Sequence, residues 1–288
     1  MTIENFTIST LGPQGTFSHQ AALKVIEYLQ PLEISKELSF EKSISRVFRA
    51  ADNEIDLAVI PLENSTAGSI GTSMDSIIEY NRQGMQIIAE IDLEIAHYLT
   101  GHGDLSQVTT IYAHPQAYAQ CDLFIDNKLN AVDVIYTTSN AESAKKVQES
   151  NSPAIAAIVP QICLDLYGIP MLAENIHNSS LNSTRFIVVS SKEYVIQHFN
   201  SRVKSKSTLL IDPRDDRPGL LNEILQIFAA KLINLTKIES RPSKRRLGDY
   251  VFYLDIQADI SHPILQDCLI ELQKTAQIRN LGSYNRIV

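Results

Sequence analysis

Residues Ala58–Gly71 read AVIPLENSTAGSIG. The apolar opening carries no charge, as in a strand covered on both faces. It then gives way to Glu63, Asn64, Ser65, Thr66 and two glycines, Gly68 and Gly71, and the helical pattern TSMDSIIEY follows. A strand that ends in a polar, glycine-bearing turn and feeds a helix is half of a βα unit. The surplus of hydrogen-bonding groups exceeds what a simple turn needs.

Working outward, the succession recurs. FTISTLG precedes FSHQAALKVIEYL, whose Phe17, Ala21, Ala22, Val25 and Leu29 share a helical face. IDLAVIPL, TTIYAHP, AVDVIYTTS, AIAAIVP and RFIVVSS read as further strands, and IIAEIDLEIAHYLTG as a long strand or a crossing between two lobes. The first two-thirds is therefore an α/β domain. A polar stretch, 192–206, is expected as a linker. Beyond it the order is βαββαβ, that of a ferredoxin-like unit. Its helices place Leu221, Ile224, Leu225 and Phe228, then Leu265, Cys268, Leu269 and Leu272, on single faces.

Composition bounds the function. The 288 residues, 44% hydrophobic and 20% charged, suit about two domains with real cores. A net charge of −8 argues against nucleic acid as a partner, though not against a small anion at a local site. The three cysteines, Cys121, Cys163 and Cys268, are far apart and suggest neither a metal cage nor a disulfide framework. No signal-peptide pattern opens MTIENFTIST, and no apolar run reaches the roughly 20 residues that span a bilayer. A cytoplasmic protein without membrane contact is expected.

Four polar clusters fall where strands end. In LGPQGTFS, Thr16 and Ser18 can cap the next helix; ENSTAG is the second; in AHPQAYAQC, Pro115 starts a helix; in TTSNAESAKKV, Ser139 and Glu142 have capping-box spacing. One such turn is merely a cap. Four in one domain point to the crevice at strand carboxyl ends, where helix N-termini receive anions. LNSTRFIVV brings Ser183, Thr184 and Arg185 to the same crevice, with Arg185 available as a bidentate cation. The pattern is a pocket for a small polar anion, built from hydroxyls and amides, with no metal or cofactor expected.

LGPQGTFS, PLENSTAGSI, HPQAYAQC and NSTRF together resemble prephenate dehydratase, and INLTKIESRP and LGSY resemble the C-terminal ACT domain of that family. The resemblance implies a catalytic domain over 1–191, similar to type II periplasmic binding proteins. One lobe is expected over about 1–85 plus 172–190 and the other over about 86–171. A linker over 192–206 and an ACT regulatory domain over 207–288 follow, and no chorismate mutase helix is expected. The implied reaction converts prephenate to phenylpyruvate, in phenylalanine biosynthesis, by loss of carbon dioxide and of a hydroxyl as water. Aromatisation drives it, so neutral orienting donors serve better than a cluster of lysines.

By the same resemblance Thr184 is the donor to the departing hydroxyl, and Glu63 is the rival acid. Asn64, Ser65 and Gln116 position substrate, while Arg185, Thr16 and the backbone at Gly68 hold carboxylate. Ser18, Ser139 and Phe186 complete the pocket. His114 is either an acid or a structural group before Pro115. The chain departs from the family at Asn140, where threonine is usual. In the ACT unit the implied effector is L-phenylalanine, bound between two chains of a homodimer or homotetramer. Pro218, Gly219, Leu220, Leu221, Asn234, Glu239, Ser240, Arg241 and Pro242 would surround it, with Leu220 replacing the usual alanine. Two rivals stand beside this: arogenate dehydratase, and a non-catalytic amino-acid sensor.

Overall fold

The structure is a computed structural model and describes residues 5–30, 35–129, 131–199, 204–215 and 217–287. The first lobe opens with β1 (Asn5–Leu11), α1 (Phe17–Tyr28), β2 (Ser35–Glu41), α2 (Ile44–Asn53), β3 (Leu57–Asn64), β4 (Gly68–Ser69), α3 (Gly71–Tyr80) and β5 (Gln86–Glu94). The second lobe comprises β6 (Tyr98–Gly101), β7 (Thr110–Ala113), α4 (Pro115–Ala119), α5 (Asp122–Lys128), β8 (Asp133–Tyr136), α6 (Asn140–Ser150), β9 (Ile155–Val159), α7 (Gln161–Tyr167) and β10 (Met171–Ala173). The chain returns to the first lobe with β11 (Ser183–Ser190) and α8 (Glu193–Phe199). It ends in β12 (Lys206–Pro213), α9 (Leu220–Ala230), β13 (Leu235–Pro242), β14 (Tyr250–Ile256), α10 (Pro263–Leu272) and β15 (Ala276–Arg286).

Strand β3 is buried along nearly its whole length because both its faces are covered. Leu57 and Val59 pack with Phe6, Ala22, Val25 and Phe186 on the side of α1 and α8. Ala58, Ile60 and Leu62 pack on the opposite side with Met74 and Ile77 of α3, and also with Leu210, Tyr253 and Tyr284 of the C-terminal unit. The cover over that second face is therefore partly the strands of the C-terminal unit, not helices alone. One sheet runs β2-β1-β3-β11-β5-β15-β12-β14-β13, and a second runs β8-β7-β9-β6-β10. The junction of the first is the parallel pairing of β15 with β5, where Asn285 and Arg286 meet Ala89 and Glu90. Gly282 makes the approach possible. Its φ is +149°, and a Cβ there would lie 2.1 Å from the Ile87 carbonyl oxygen. The LGSY stretch is thus a docking requirement read from local geometry.

Two boundaries differ from the sequence expectation. The long IIAEIDLEIAHYLTG run is neither one strand nor wholly in the second lobe. β5 pairs with β11 in the first lobe, and the crossing falls between β5 and β6. The expected linker begins as a helix instead, because Val195, Ile196 and Phe199 of α8 share one face and bury it in the first lobe. Residues 200–203 of that linker lie outside the described residues. No helix among the described residues is long and apolar enough to cross a membrane.

Candidate active site

The two lobes face each other across a cleft of about 300 Å³. Lobe one contributes Thr16, Phe17, Ser18, Asn64, Thr184 and Phe186; lobe two contributes His114, Gln116, Gln120, Thr138, Ser139 and Asn140. Ile95 and His97 line it from the crossing. Among the described residues, none that lines it is Lys, Arg, Asp or Glu.

The decisive pair stands on adjacent strands. β3 and β11 run antiparallel, with Thr184 opposite Asn64 and Arg185 opposite Glu63. Asn64 Oδ1 accepts from the Thr66 and Ala67 amides at 3.1 and 2.9 Å and from the Thr66 hydroxyl at 2.7 Å. Its oxygen is thereby turned towards its own turn, and Nδ2 must point the other way, donating to Thr184 Oγ1 and Asn182 Oδ1, each at 2.9 Å. Thr184 Oγ1 is therefore an acceptor in this bond, which leaves its proton to donate elsewhere. ENSTAG is polar because an Asx-type turn locks one asparagine so that it can orient one threonine.

Helix starts supply the rest. Thr16 caps α1 by accepting from His19 N at 3.4 Å, and Ser139 caps α6 by accepting from Glu142 N at 3.1 Å. The return bond expected of a capping box goes one residue early, from Thr138 N and Oγ1 to Glu142 Oε2 at 2.8 and 2.6 Å. His114 Nδ1 accepts from Gln116 N at 3.3 Å, so its ring caps α4 while lining the cleft. Burial lowers its pKa, favouring the neutral cap. The N-termini of α1 and α6 open onto the cleft and bring it partial positive charge without a cation.

His97 and Gln120 were not expected from the sequence. His97 Nε2 donates to Gln120 Oε1 at 2.9 Å, and Gln120 Nε2 reaches Thr66 Oγ1 at 3.5 Å, spanning the two lobes. The His97 ring packs edge-on to Phe17 at 5.4 Å. Burial pushes its pKa down to about 4, against a smaller upward pull from Gln120, so it is neutral near pH 7. A lone histidine in an apolar run carries no spacing signal. Its proximity to Gln120 is created only by the crossing.

Several expected residues lie elsewhere. β11 alternates regularly, while a bulge in β3 at Leu62 leaves Leu62 and Glu63 on the same side, so that Thr184 and Asn64 turn into the cleft and Arg185 and Glu63 to the far face. There Arg185 pairs with Asp255, with Glu90 at 2.8 Å, and donates to Tyr284 Oη at 2.8 Å. Burial opposes its charge, yet Tyr284, Asp255 and Glu90 more than offset this and raise its pKa above the ordinary arginine value. Glu63 is bound by Lys237 at 2.8 Å. Neither reaches the cleft as an acid or a carboxylate clamp. Ser65 instead staples the turn, donating to Leu181 O at 3.2 Å and accepting from Ser183 N at 3.0 Å. Gly68, with φ +81°, forms the exposed reversal into β4.

A second cavity, about 710 Å³, is in the C-terminal unit. Leu220, Leu221 and Ser240 line it, with Tyr250, Phe252 and Arg245 beside them. Alternation along β13 again divides the prediction: Glu239 and Arg241 face the first lobe, where Arg241 holds Asp75 Oδ1 at 3.0 and 2.9 Å. Pro218 and Gly219 sit at the start of α9, and Pro242 ends β13; none of them lines the cavity. Asn234 donates to Gln257 at the other end of β13.

Comparisons with known proteins bear on the same regions. Residues 8–194 match the family model Prephenate dehydratase, and residues 208–265 match the ACT domain model. The prephenate dehydratase of Methanocaldococcus jannaschii is 36% identical over 273 residues, covering 94% of this chain and 95% of that one. A bifunctional chorismate mutase/prephenate dehydratase of Stutzerimonas stutzeri is 34% identical over 287 residues, covering 98% of this chain and 73% of that one. Among solved structures, a prephenate dehydratase of Arthrobacter aurescens in complex with L-Phe superposes with a TM-score of 0.82 at 30% identity, covering 98% of this chain and 90% of that one. With a two-lobed cleft, an Asn64–Thr184 pair at its wall and an ACT unit docked behind it, the chain belongs to the prephenate dehydratase family.

Proposed function

We propose that the chain converts prephenate to phenylpyruvate by decarboxylative dehydration, with Thr184 donating a hydrogen bond to the departing hydroxyl. The observation that carries this is the locked Asn64: its Nδ2 occupies an acceptor site of Thr184 Oγ1 and leaves the threonine proton for the cleft. Breakage of the ring carbon–carboxylate bond sends its electron pair through the ring to expel the hydroxyl oxygen, which takes up one proton from solvent and leaves as water while Thr184 hydrogen-bonds to it. Charge grows on that oxygen in the transition state, so a donor aimed there accelerates the step, whereas a cation on the ring carboxylate would stabilise the ground state. The uncharged lining suits this division. Gln116, Thr16, Ser18, Ser139 and the N-termini of α1 and α6 orient the two carboxylates with neutral dipoles.

The 710 Å³ cavity is proposed to take L-phenylalanine, the ring against Leu220, Leu221 and Phe252 and the zwitterion against the charged rim that includes Arg245 and Asp212. A homodimer or homotetramer would complete it. Asn234 immediately precedes β13, six positions from Ser240, about 20 Å of extended chain, too far to share a ligand within one chain. β13 is an edge strand, and antiparallel pairing of two such edges would set Asn234 of the partner subunit near this chain's Ser240. Three buried, free cysteines fit a reducing, cytoplasmic setting.

The test is phenylpyruvate formation by the purified chain from prephenate, and phenylalanine formation from arogenate, each with and without added phenylalanine. Turnover of prephenate suppressed by phenylalanine is the expected result. Preference for arogenate would reassign the substrate, and inertness to both would leave a sensor.

A further inference from the structure

Directly behind the Asn64–Thr184 pair, on the far face of β3 and β11, the C-terminal unit grips both strands. The two grips differ. Arg185 is held from several sides by Asp255, Glu90 and Tyr284 and is nearly buried, which makes a fixed pivot. Glu63 is partly exposed, and among the described residues its one ion pair is with Lys237 Nζ at 2.8 Å. The same ammonium donates to Ser69 Oγ at 2.6 Å, so Lys237 ties together the two strands that flank the ENSTAG turn. Lys237 belongs to β13, three residues before Ser240, and strand alternation aims the two residues oppositely: Ser240 into the 710 Å³ cavity, Lys237 onto β3.

We propose that Glu63 is a positioning residue: through Lys237, strand β13 sets the place of Asn64, and with it the Thr184 hydroxyl, so that the state of the C-terminal cavity reaches the reaction. Asn64 follows Glu63 directly, and its oxygen holds the Thr66 and Ala67 amides. A shift of Glu63 therefore moves the whole turn and the donor aimed at Thr184. Displacements of about 1 Å at a reacting centre are costly, and a ligand that favours one placement of β13 over another has a route to use that sensitivity. The proposal rests on the prephenate dehydratase reading for the reaction affected.

Arg241 supplies the control. It lies on the same face of the same strand, shares Glu239 with Lys237 at 3.6 and 3.4 Å, and makes two hydrogen bonds to Asp75 of α3, which has no bond to the ENSTAG turn among the described residues. If these ion pairs merely glue the unit to the lobe, Arg241→Met should do as much harm as Lys237→Met. The experiment compares the wild-type chain with Lys237→Met, Glu63→Ala, the double variant and Arg241→Met. It measures kcat and KM on prephenate, and amide hydrogen exchange at Thr66 and Ala67. For Lys237→Met and Glu63→Ala, kcat should fall about five- to twentyfold with KM within about twofold, and the double variant should fall no further than the singles. Exchange at Thr66 and Ala67 should accelerate. Arg241→Met should stay within about twofold of wild type in kcat, with exchange at those amides unchanged. Unchanged kcat in Lys237→Met, or an equal loss in Arg241→Met, overturns the proposal. A wild-type chain inert to prephenate overturns the assigned reaction instead, and the exchange comparison alone then decides whether Lys237 places the turn.

Discussion

The two faces of the β3–β11 pair are one residue apart in sequence and opposite in chemistry. On the cleft face stand Asn64 and Thr184, uncharged and bonded to each other; on the far face stand Glu63 and Arg185, both in ion pairs with the C-terminal unit. A site that must release a carboxylate as carbon dioxide gains from neutral dipoles, which orient without trapping the charge. A junction between two folded units gains from charges that are strong only when correctly placed. The same short motif serves both because a strand shows alternate residues to opposite sides.

The strongest way to break this arrangement is to unseat the C-terminal unit. Gly282→Ala would drive a methyl into the Ile87 carbonyl, which is backbone and cannot swing away. The β15–β5 pairing is expected to be lost, and limited proteolysis should cut between the two units in the variant but not in wild type. Next comes Arg185→Ala, which leaves the wholly buried Asp255 without its cation and takes one partner from Glu90. Stranding a buried charge costs about 3–5 kcal/mol, to be read as a lower denaturant midpoint. A fall below about 1 kcal/mol would mean that water or Lys206 compensates.

A smaller effect is pH-dependent and sharpens the cleft side. His97 has a folded pKa of about 4, below its unfolded value of 6.5, because burial penalises the imidazolium. As pH falls below 6.5, the unfolded chain takes up the proton first. The stability from keeping His97 neutral is therefore present in full above 6.5 and is lost progressively towards 4, amounting to about 3 kcal/mol. His97→Gln should not show this loss, so the wild type's stability advantage at pH 7 should shrink by pH 4. A constant difference across that range would contradict neutral burial of His97.

Much of this was legible in the residues themselves. The βα units, the ENSTAG and NSTRF segments and the three side-chain caps are local: turn chemistry and hydrophobic period suffice to place them. Facing was not legible. Thr184 and Arg185 are neighbours of equal apparent promise, and only the pairing of β11 with β3 decides which one enters the cleft. The same holds along β13, where Ser240 and Glu239 separate. α8 was hidden differently: Val195, Ile196 and Phe199 have helical spacing, but the polar residues between them masked a short buried face. His97 and Gln120 meet only across the crossing between the lobes.

In the proposed reaction the cleft face acts through one hydroxyl, that of Thr184, oriented by Asn64. Thr184→Val keeps the side-chain shape and removes that hydroxyl, so the deciding measurement is kcat and KM of this variant on prephenate. Loss of a transition-state donor predicts a kcat lower by about 10²–10³-fold with KM nearly unchanged. A kcat equal to wild type would contradict the account.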